Sequence, residues 1–170
     1  MKNIILIGMP GSGKSSVGKI LAQEFNMKFL DTDERIEVES GLTINQIFRT
    51  YGETFFREKE REWILKNYNM KNAVISTGGG MPIYLNNMDI LDKIGITVFI
   101  NTDLKVLNKR LYNDLERPLI RKAEDKHKTI ENLYSIRKEC YLKSAINLSV
   151  KEERIEEIVN IIKERVKKYS

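Results

Sequence analysis

The chain has almost none of the residues that build covalently stapled or metal-bound scaffolds. Its one cysteine, Cys140, excludes an internal disulfide, and a reducing compartment is the simplest setting for it. Cys140 stands between Glu139 and Tyr141 with no histidine nearby, which points to an inert thiol rather than a nucleophile. The one histidine, His127, lies in a charged segment, and no metal cluster can be built around it. Long apolar runs are missing too. The N-terminus offers one lysine and then only Ile4 to Ile7, too short for a secretion signal, and no stretch approaches the roughly 18 apolar residues of a membrane span. The expectation is a cytoplasmic protein with no membrane partner. Internal repeats, low-complexity tracts and domain boundaries are absent as well.

The 170 residues, 41% hydrophobic and 31% charged, suit one globular domain with a real core. A net charge of +5 admits nucleic acid, but lysine and glutamate are interleaved along most helical stretches and read as solvated faces. No aromatic-basic stacking pattern or recognition helix supports a nucleic-acid partner.

The most informative stretch is Gly8-Met9-Pro10-Gly11-Ser12-Gly13-Lys14-Ser15, entered directly from the apolar run Ile4 to Ile7. It fits G-x-x-x-x-G-K-[ST], and a helical pattern follows it, as a phosphate-binding loop requires. Its glycines let the backbone curl so that successive N–H groups face phosphate oxygens. The following helix adds its positive dipole end. Lys14 can reach the β- and γ-phosphates, and the Ser15 hydroxyl can take a site on Mg²⁺.

Beyond the loop, strands alternate with helices. Strands are expected at Lys28 to Leu30, Ala73 to Ser76, Ile96 to Ile100 and Ala145 to Leu148. Helices are expected from Ser16 to Phe25, Glu34 to Glu39, Ile44 to Thr50, Thr54 to Lys66, Asn87 to Lys93, Ile130 to Lys143 and Glu152 to Lys168, with another capped by Asp103. Phe55, Phe56, Lys59 and Trp63 mark the inward stripe of the helix ending at Lys66. The strands read as short apolar runs, so the fold class is α/β: a three-layer P-loop fold with a parallel sheet covered on both faces. Residues 113–128 are polar and contain Pro118, which reads as a mobile lid. Ligands of such sheets bind outside the carboxyl ends of the strands, which gathers the phosphate loop, Asp31, Asp33 and Gly78-Gly79-Gly80 on one rim.

Those residues have definable chemistry. Asp31 and Asp33 alternate at a strand end, where they can approach a magnesium ion or a substrate hydroxyl; Asp33 can equally cap a helix. Three glycines after a strand allow close approach to the backbone. Arg57 sits among Glu53, Glu58 and Glu60, so helix-surface ion pairs are its plain reading. Arg117, on the lid, can neutralise charge on a transferring phosphoryl group. Arg137, four residues before Tyr141, can hold a carboxylate with two hydrogen bonds.

Taken in order, the phosphate loop, Asp31-Thr32-Asp33, Gly52 to Arg57, Ser76 to Gly80, Arg117-Pro118-Leu119 and Arg137-x-x-x-Tyr141 resemble the shikimate kinase family over nearly the whole chain. The resemblance implies a five-stranded parallel sheet of the nucleoside-monophosphate-kinase type, and transfer of the ATP γ-phosphoryl group to the 3-hydroxyl of shikimate. It implies ATP contacts from Gly11, Ser12, Gly13, Lys14, Ser15, Ser16, Arg110 and Arg117, and Mg²⁺ beside Ser15 and Asp31. Shikimate would meet Asp33, Arg57, Gly78, Gly79, Gly80 and Arg137, with Lys14, Asp33 and Arg117 catalytic, in a monomer. The family's usual proline before the last helix is replaced here by Ser149 to Glu153, which makes Arg154 the substitute candidate on the adenine side. A related kinase for gluconate or a nucleoside monophosphate would share the phosphate loop and use Asp33, Arg57 and Gly79 for different contacts; two arginines with an aspartate suit a polyhydroxylated carboxylate better than a nucleobase.

Overall fold

The computed structural model describes residues 2–112, 118–121 and 124–169. Five strands, β1 (Asn3–Ile7), β2 (Lys28–Asp31), β3 (Ala73–Ser76), β4 (Gly95–Thr102) and β5 (Ile146–Val150), form one sheet in the order β2-β3-β1-β4-β5. Every neighbouring pair is parallel. The helices are α1 (Lys14–Glu24), α2 (Thr32–Ser40), α3 (Ile44–Lys66), α4 (Asn87–Ile94), α5 (Leu104–Leu111), α6 (Pro118–Arg121), α7 (Lys126–Tyr141) and α8 (Ile155–Val166).

The central strands have no polar face because both faces are covered. On β1, Ile5 and Ile7 join a core with Trp63 and Ile64 of α3, Leu91 of α4, Leu107 of α5 and Tyr141 of α7. Ile4 and Leu6 point the other way, toward Val17 and Leu21 of α1 and Ile158 and Ile162 of α8. A small third cluster, Ile36, Ile47 and Phe56, ties α2 to α3 beside the sheet.

Three local readings change, while the break expected at Gly52 is present: helix α3 runs from Ile44 to Lys66 and is interrupted at Gly52, whose φ of 85° leaves the helical region. Its buried stripe is Phe56, Arg57, Glu60, Trp63 and Ile64, whereas Lys59 lies outward over the Phe55 ring. The sequence pattern missed this because a glutamate occupies a core position. Strand β5 alternates, with Ile146, Leu148 and Val150 buried and Asn147 and Ser149 exposed, because it is an edge strand. Helix α8 starts at Ile155 rather than Glu152.

The segment read as a lid has more structure than its composition implied. Ile120 in α6 is buried in the main core, and α7 begins at Lys126, capped by Asp125. Arg117 lies outside the described residues. Among the described residues, no helix is long and apolar enough to cross a membrane.

Candidate functional site

Parallel pairing puts all five carboxyl strand ends on one rim, where a cleft of about 760 Å³ opens. One wall is the phosphate loop. Gly11 and Gly13 hold φ values of 75° and 91°, a region in which a side chain is strained. The loop is braced from outside by Thr102, whose hydroxyl donates to the Ser12 carbonyl at 3.2 Å, and by Arg110, which donates to the Gly11 carbonyl at 3.0 Å. Helix α1 starts at Lys14 with no side-chain cap, so its first N–H groups face the cleft. The Lys14 ammonium is buried and folded over the loop, 2.8 Å from the Met9 carbonyl and 3.1 Å from that of Gly8.

Ser15 donates to Asp31 Oδ2 at 2.5 Å and lies 3.1 Å from the Ser76 hydroxyl. The β2–β3 register sets Asp31 beside Ser76. Asp31 also accepts from the Asp33 backbone N–H at 3.1 Å, so Asp31 caps α2 and Asp33 lies in its first turn. The alternative that Asp33 is the cap is thereby settled in favour of its neighbour.

A smaller pocket of about 70 Å³ adjoins the cleft, and the two share Pro10, Asp33, Ile44, Gly78 and Gly79. Arg57, Gly80 and Arg137 line the small pocket. Arg57 and Arg137 are 9% and 6% exposed, values at which an arginine needs a charged or polar counterpart. Arg57 has two, Glu53 at 2.9 Å and Glu60 at 2.6 Å. The helix-surface pairing read from the sequence is therefore real, but half of it is internal. Glu60 is fully buried, and its Oε1 has no hydrogen-bond partner among the described residues. Burial outweighs the attraction of Arg57 and raises the Glu60 carboxyl from 4.5 to about 7, with the nearby Asp33 pushing the same way. Burial lowers the Arg57 guanidinium, but the charges and hydrogen bonds of Glu60 and Glu53 leave it above its ordinary value.

Gly78, Gly79 and Gly80 are glycines for lack of room. A Cβ on Gly80 would fall 2.2 Å from Arg57 Cζ, and one on Gly78 would fall 2.5 Å from Asp33 Oδ1 and 2.6 Å from Glu60 Oε1. On Gly79 it would meet Pro10 at 2.8 Å. None of the three adopts a positive φ, so close approach of the protein's own side chains is the reason for them.

The structure thus brings Gly11, Ser12, Gly13, Lys14, Ser15, Ser16, Asp31, Asp33, Gly78, Gly79 and Arg110 around the cleft, and Arg57, Gly80 and Arg137 around the pocket beside it. Arg154 occupies the N-cap position of α8, exposed and paired with Glu157 at 3.3 Å; its chain neighbours Glu153 and Ile155 line the cleft with Ile158. Sequence reasoning passed over Glu60, Thr32 and Ser76. The spacing of Phe56, Glu60 and Trp63 on one helical stripe is the only signal for Glu60, and its charged neighbours mask it; Thr32 and Ser76 carry no such signal.

A phosphate loop feeding a cleft, joined through a shared wall to a small cationic pocket, on a parallel sheet of this order, defines a P-loop kinase. A match to the family described as shikimate kinase spans residues 10–167. The chain belongs to the shikimate kinase family. A shikimate kinase from Sulfurihydrogenibium sp. is 42% identical over 168 residues, covering 99% of each chain. The solved structure of shikimate kinase from Acinetobacter baumannii in complex with shikimate superposes with a TM-score of 0.95 at 30% identity, covering 100% of this chain and 95% of that one. Shikimate kinase from Aquifex aeolicus gives 0.83 at 37% identity, covering 97% and 96%.

Proposed function

We propose that the protein transfers the γ-phosphoryl group of ATP to the 3-hydroxyl of shikimate, as a monomeric cytoplasmic enzyme without nucleic-acid or membrane partners. The observation that carries this reading is the shared wall. Asp33, Gly78 and Gly79 border both the phosphate-loop cleft and the pocket holding Arg57 and Arg137, so donor and acceptor can meet there.

Each residue then has a task. The backbone from Gly11 to Ser16 cradles the phosphates, Lys14 adds positive charge, and Arg110 braces the loop from the outside. Arg57 and Arg137 bind the acceptor's carboxylate, a geometry for which guanidinium is well suited. Gly78, Gly79 and Gly80 let the acceptor lie against the backbone. Asp33 accepts a hydrogen bond from the acceptor hydroxyl and orients it; a loose transition state asks for alignment and charge more than for a strong base. Arg117 closes on the phosphates from the segment after α5.

The oxygens of Ser15, Asp31 and Ser76 suit magnesium, which is ordinarily held by one or two protein ligands with phosphate oxygens and water. Ser15 and Asp31 would hold the ion, and when bound it neutralises charge on the β- and γ-phosphates.

The test is a coupled ADP-release assay with magnesium and ATP against shikimate, gluconate and a nucleoside monophosphate. Turnover with shikimate well above the other two is expected. Preference for gluconate or the nucleotide would replace this reading with the related-kinase alternative.

A further inference from the structure

One motif of the sequence has no task in the account above. Tyr141 follows Arg137 by one helical turn, so both project from the same face of α7. Tyr141 is fully buried, with its ring 5.0 Å from that of Phe99. Its hydroxyl donates to the Gly79 carbonyl at 2.6 Å. Burial raises this hydroxyl to about 12, while the charge and hydrogen bonding of Arg137 pull it down, so the guanidinium bears on the same oxygen. Gly79 is closely approached from other sides as well: a Cβ there would lie 2.8 Å from Pro10 of the phosphate loop and 3.2 Å from Arg137 Nη1.

The preceding residue is also held by a hydroxyl, here as the acceptor. The Gly78 N–H donates to the Thr32 hydroxyl at 3.0 Å, and Thr32 is fully buried between Asp31 and Asp33. Two hydroxyls distant in sequence therefore grip the N–H of Gly78 and the carbonyl of Gly79, on either side of the Gly78–Gly79 peptide, where cleft and pocket meet.

We infer that Tyr141 and Thr32 are positioning residues: their hydroxyls clasp Gly79 and Gly78 and so fix the distance between the phosphate loop and the acceptor arginines. The inference rests on the acceptor reading given above and deepens it. Neither hydroxyl needs to touch substrate. Each holds a backbone group that would otherwise be buried without a partner, and the spacing between Pro10, Gly79 and Arg137 depends on that hold.

Tyr141→Phe removes one oxygen and little volume. With ATP saturating, kcat/KM for shikimate should fall roughly five- to a hundredfold, the range set by one orphaned buried carbonyl. The KM for ATP, read with shikimate saturating, should stay within about twofold, because the phosphate loop's own bracing from Thr102 and Arg110 is untouched. Thr32→Val should show the same split, and Thr32→Ser, which keeps the hydroxyl, should restore it. Ile162→Val, in the core against α1, serves as a control for lost stability and should leave the ratio of the two constants as in wild type. If Tyr141→Phe fails to fold, the Thr32 pair reads the same clasp. The inference is overturned if the hydroxyl-deleted variants match wild type, if both substrates weaken together, or if Ile162→Val reproduces the split. A wild-type protein that turns over no shikimate would overturn the acceptor reading, and this inference with it; an active wild type matched by Tyr141→Phe would overturn the clasp alone.

Discussion

The phosphate loop and the small arginine pocket proposed to take the acceptor share a wall but are made in opposite ways. The loop is local, its eight residues running consecutively from Gly8 to Ser15, and it works through backbone N–H groups, one lysine and a helix terminus. The acceptor pocket is assembled from Asp33 of α2, Arg57 and Glu60 of α3, the three glycines after β3 and Arg137 of α7. Side chains dominate it, and it contains a buried carboxylate whose Oε1 is left without a hydrogen-bond partner among the described residues. A local backbone device is insensitive to most of the chain. An assembled device depends on every element that carries one of its parts.

The sharpest way to break this comparison is to strike each half alone. Lys14→Met removes the cleft's buried cation and should lower kcat by roughly 10²–10³-fold, the scale for one preorganised electrostatic contact. Shikimate binding measured without nucleotide should change little. Initial rates at saturating substrates, with a parallel shikimate titration, check both halves. Loss of shikimate affinity in this variant would mean that the two sites are not separable.

A smaller effect is expected from Gly80→Ala, which places a methyl against the Arg57 guanidinium, where a Cβ would approach to 2.2 Å. Overpacking of this kind costs about 1–3 kcal/mol, equivalent to a roughly five- to 150-fold rise in the KM for shikimate. The ATP KM should hold. A steady-state titration of each substrate decides it, and equal rises in both would contradict the account.

The remaining prediction leaves activity aside and concerns stability against pH. Glu60 is raised from 4.5 to about 7 in the folded protein, so between those values the native state binds more protons than the unfolded state. Its contribution to stability is full below about pH 4.5 and is lost as pH rises through about 7. In Glu60→Gln that loss should vanish. Urea midpoints of wild type and variant across this window should therefore converge toward the acid end and separate toward neutrality, with the variant the more stable at neutral pH. Parallel curves would place the titration elsewhere.

Much of the molecule was legible because its physics is local. Ile4 to Ile7 announce a strand covered on both faces, Gly52 announces a break, and Asp103, which accepts from the Lys105 N–H at 2.8 Å, announces a cap. The donor cleft was legible for the same reason. The acceptor pocket was only partly so: Asp33, Arg57, the three glycines and Arg137 stood out by type and context. Glu60 did not, because a glutamate among other charges on a helix looks solvated until the tertiary stripe is known. Thr32 and Tyr141 contribute single hydroxyls across 46 and 62 residues of sequence separation, a relation no local pattern encodes. Ile120 carried a weak signal in a polar segment, and its burial comes from packing that the segment's composition does not reveal. The later start of α8 could not be read from composition; it places Arg154 at the helix N-terminus between Glu153 and Ile155, which line the cleft.

The central claim is that the pocket beside the phosphate loop binds a hydroxylated carboxylate through its buried arginines. Calorimetric titration of shikimate into wild type and Arg57→Ala, each alongside an ADP titration, tests it most directly. Saturable shikimate binding by wild type should weaken about ten- to 150-fold in Arg57→Ala, the range for a hydrogen bond to a charged group, with ADP affinity unchanged. Equal shikimate affinity in the two proteins would contradict the account.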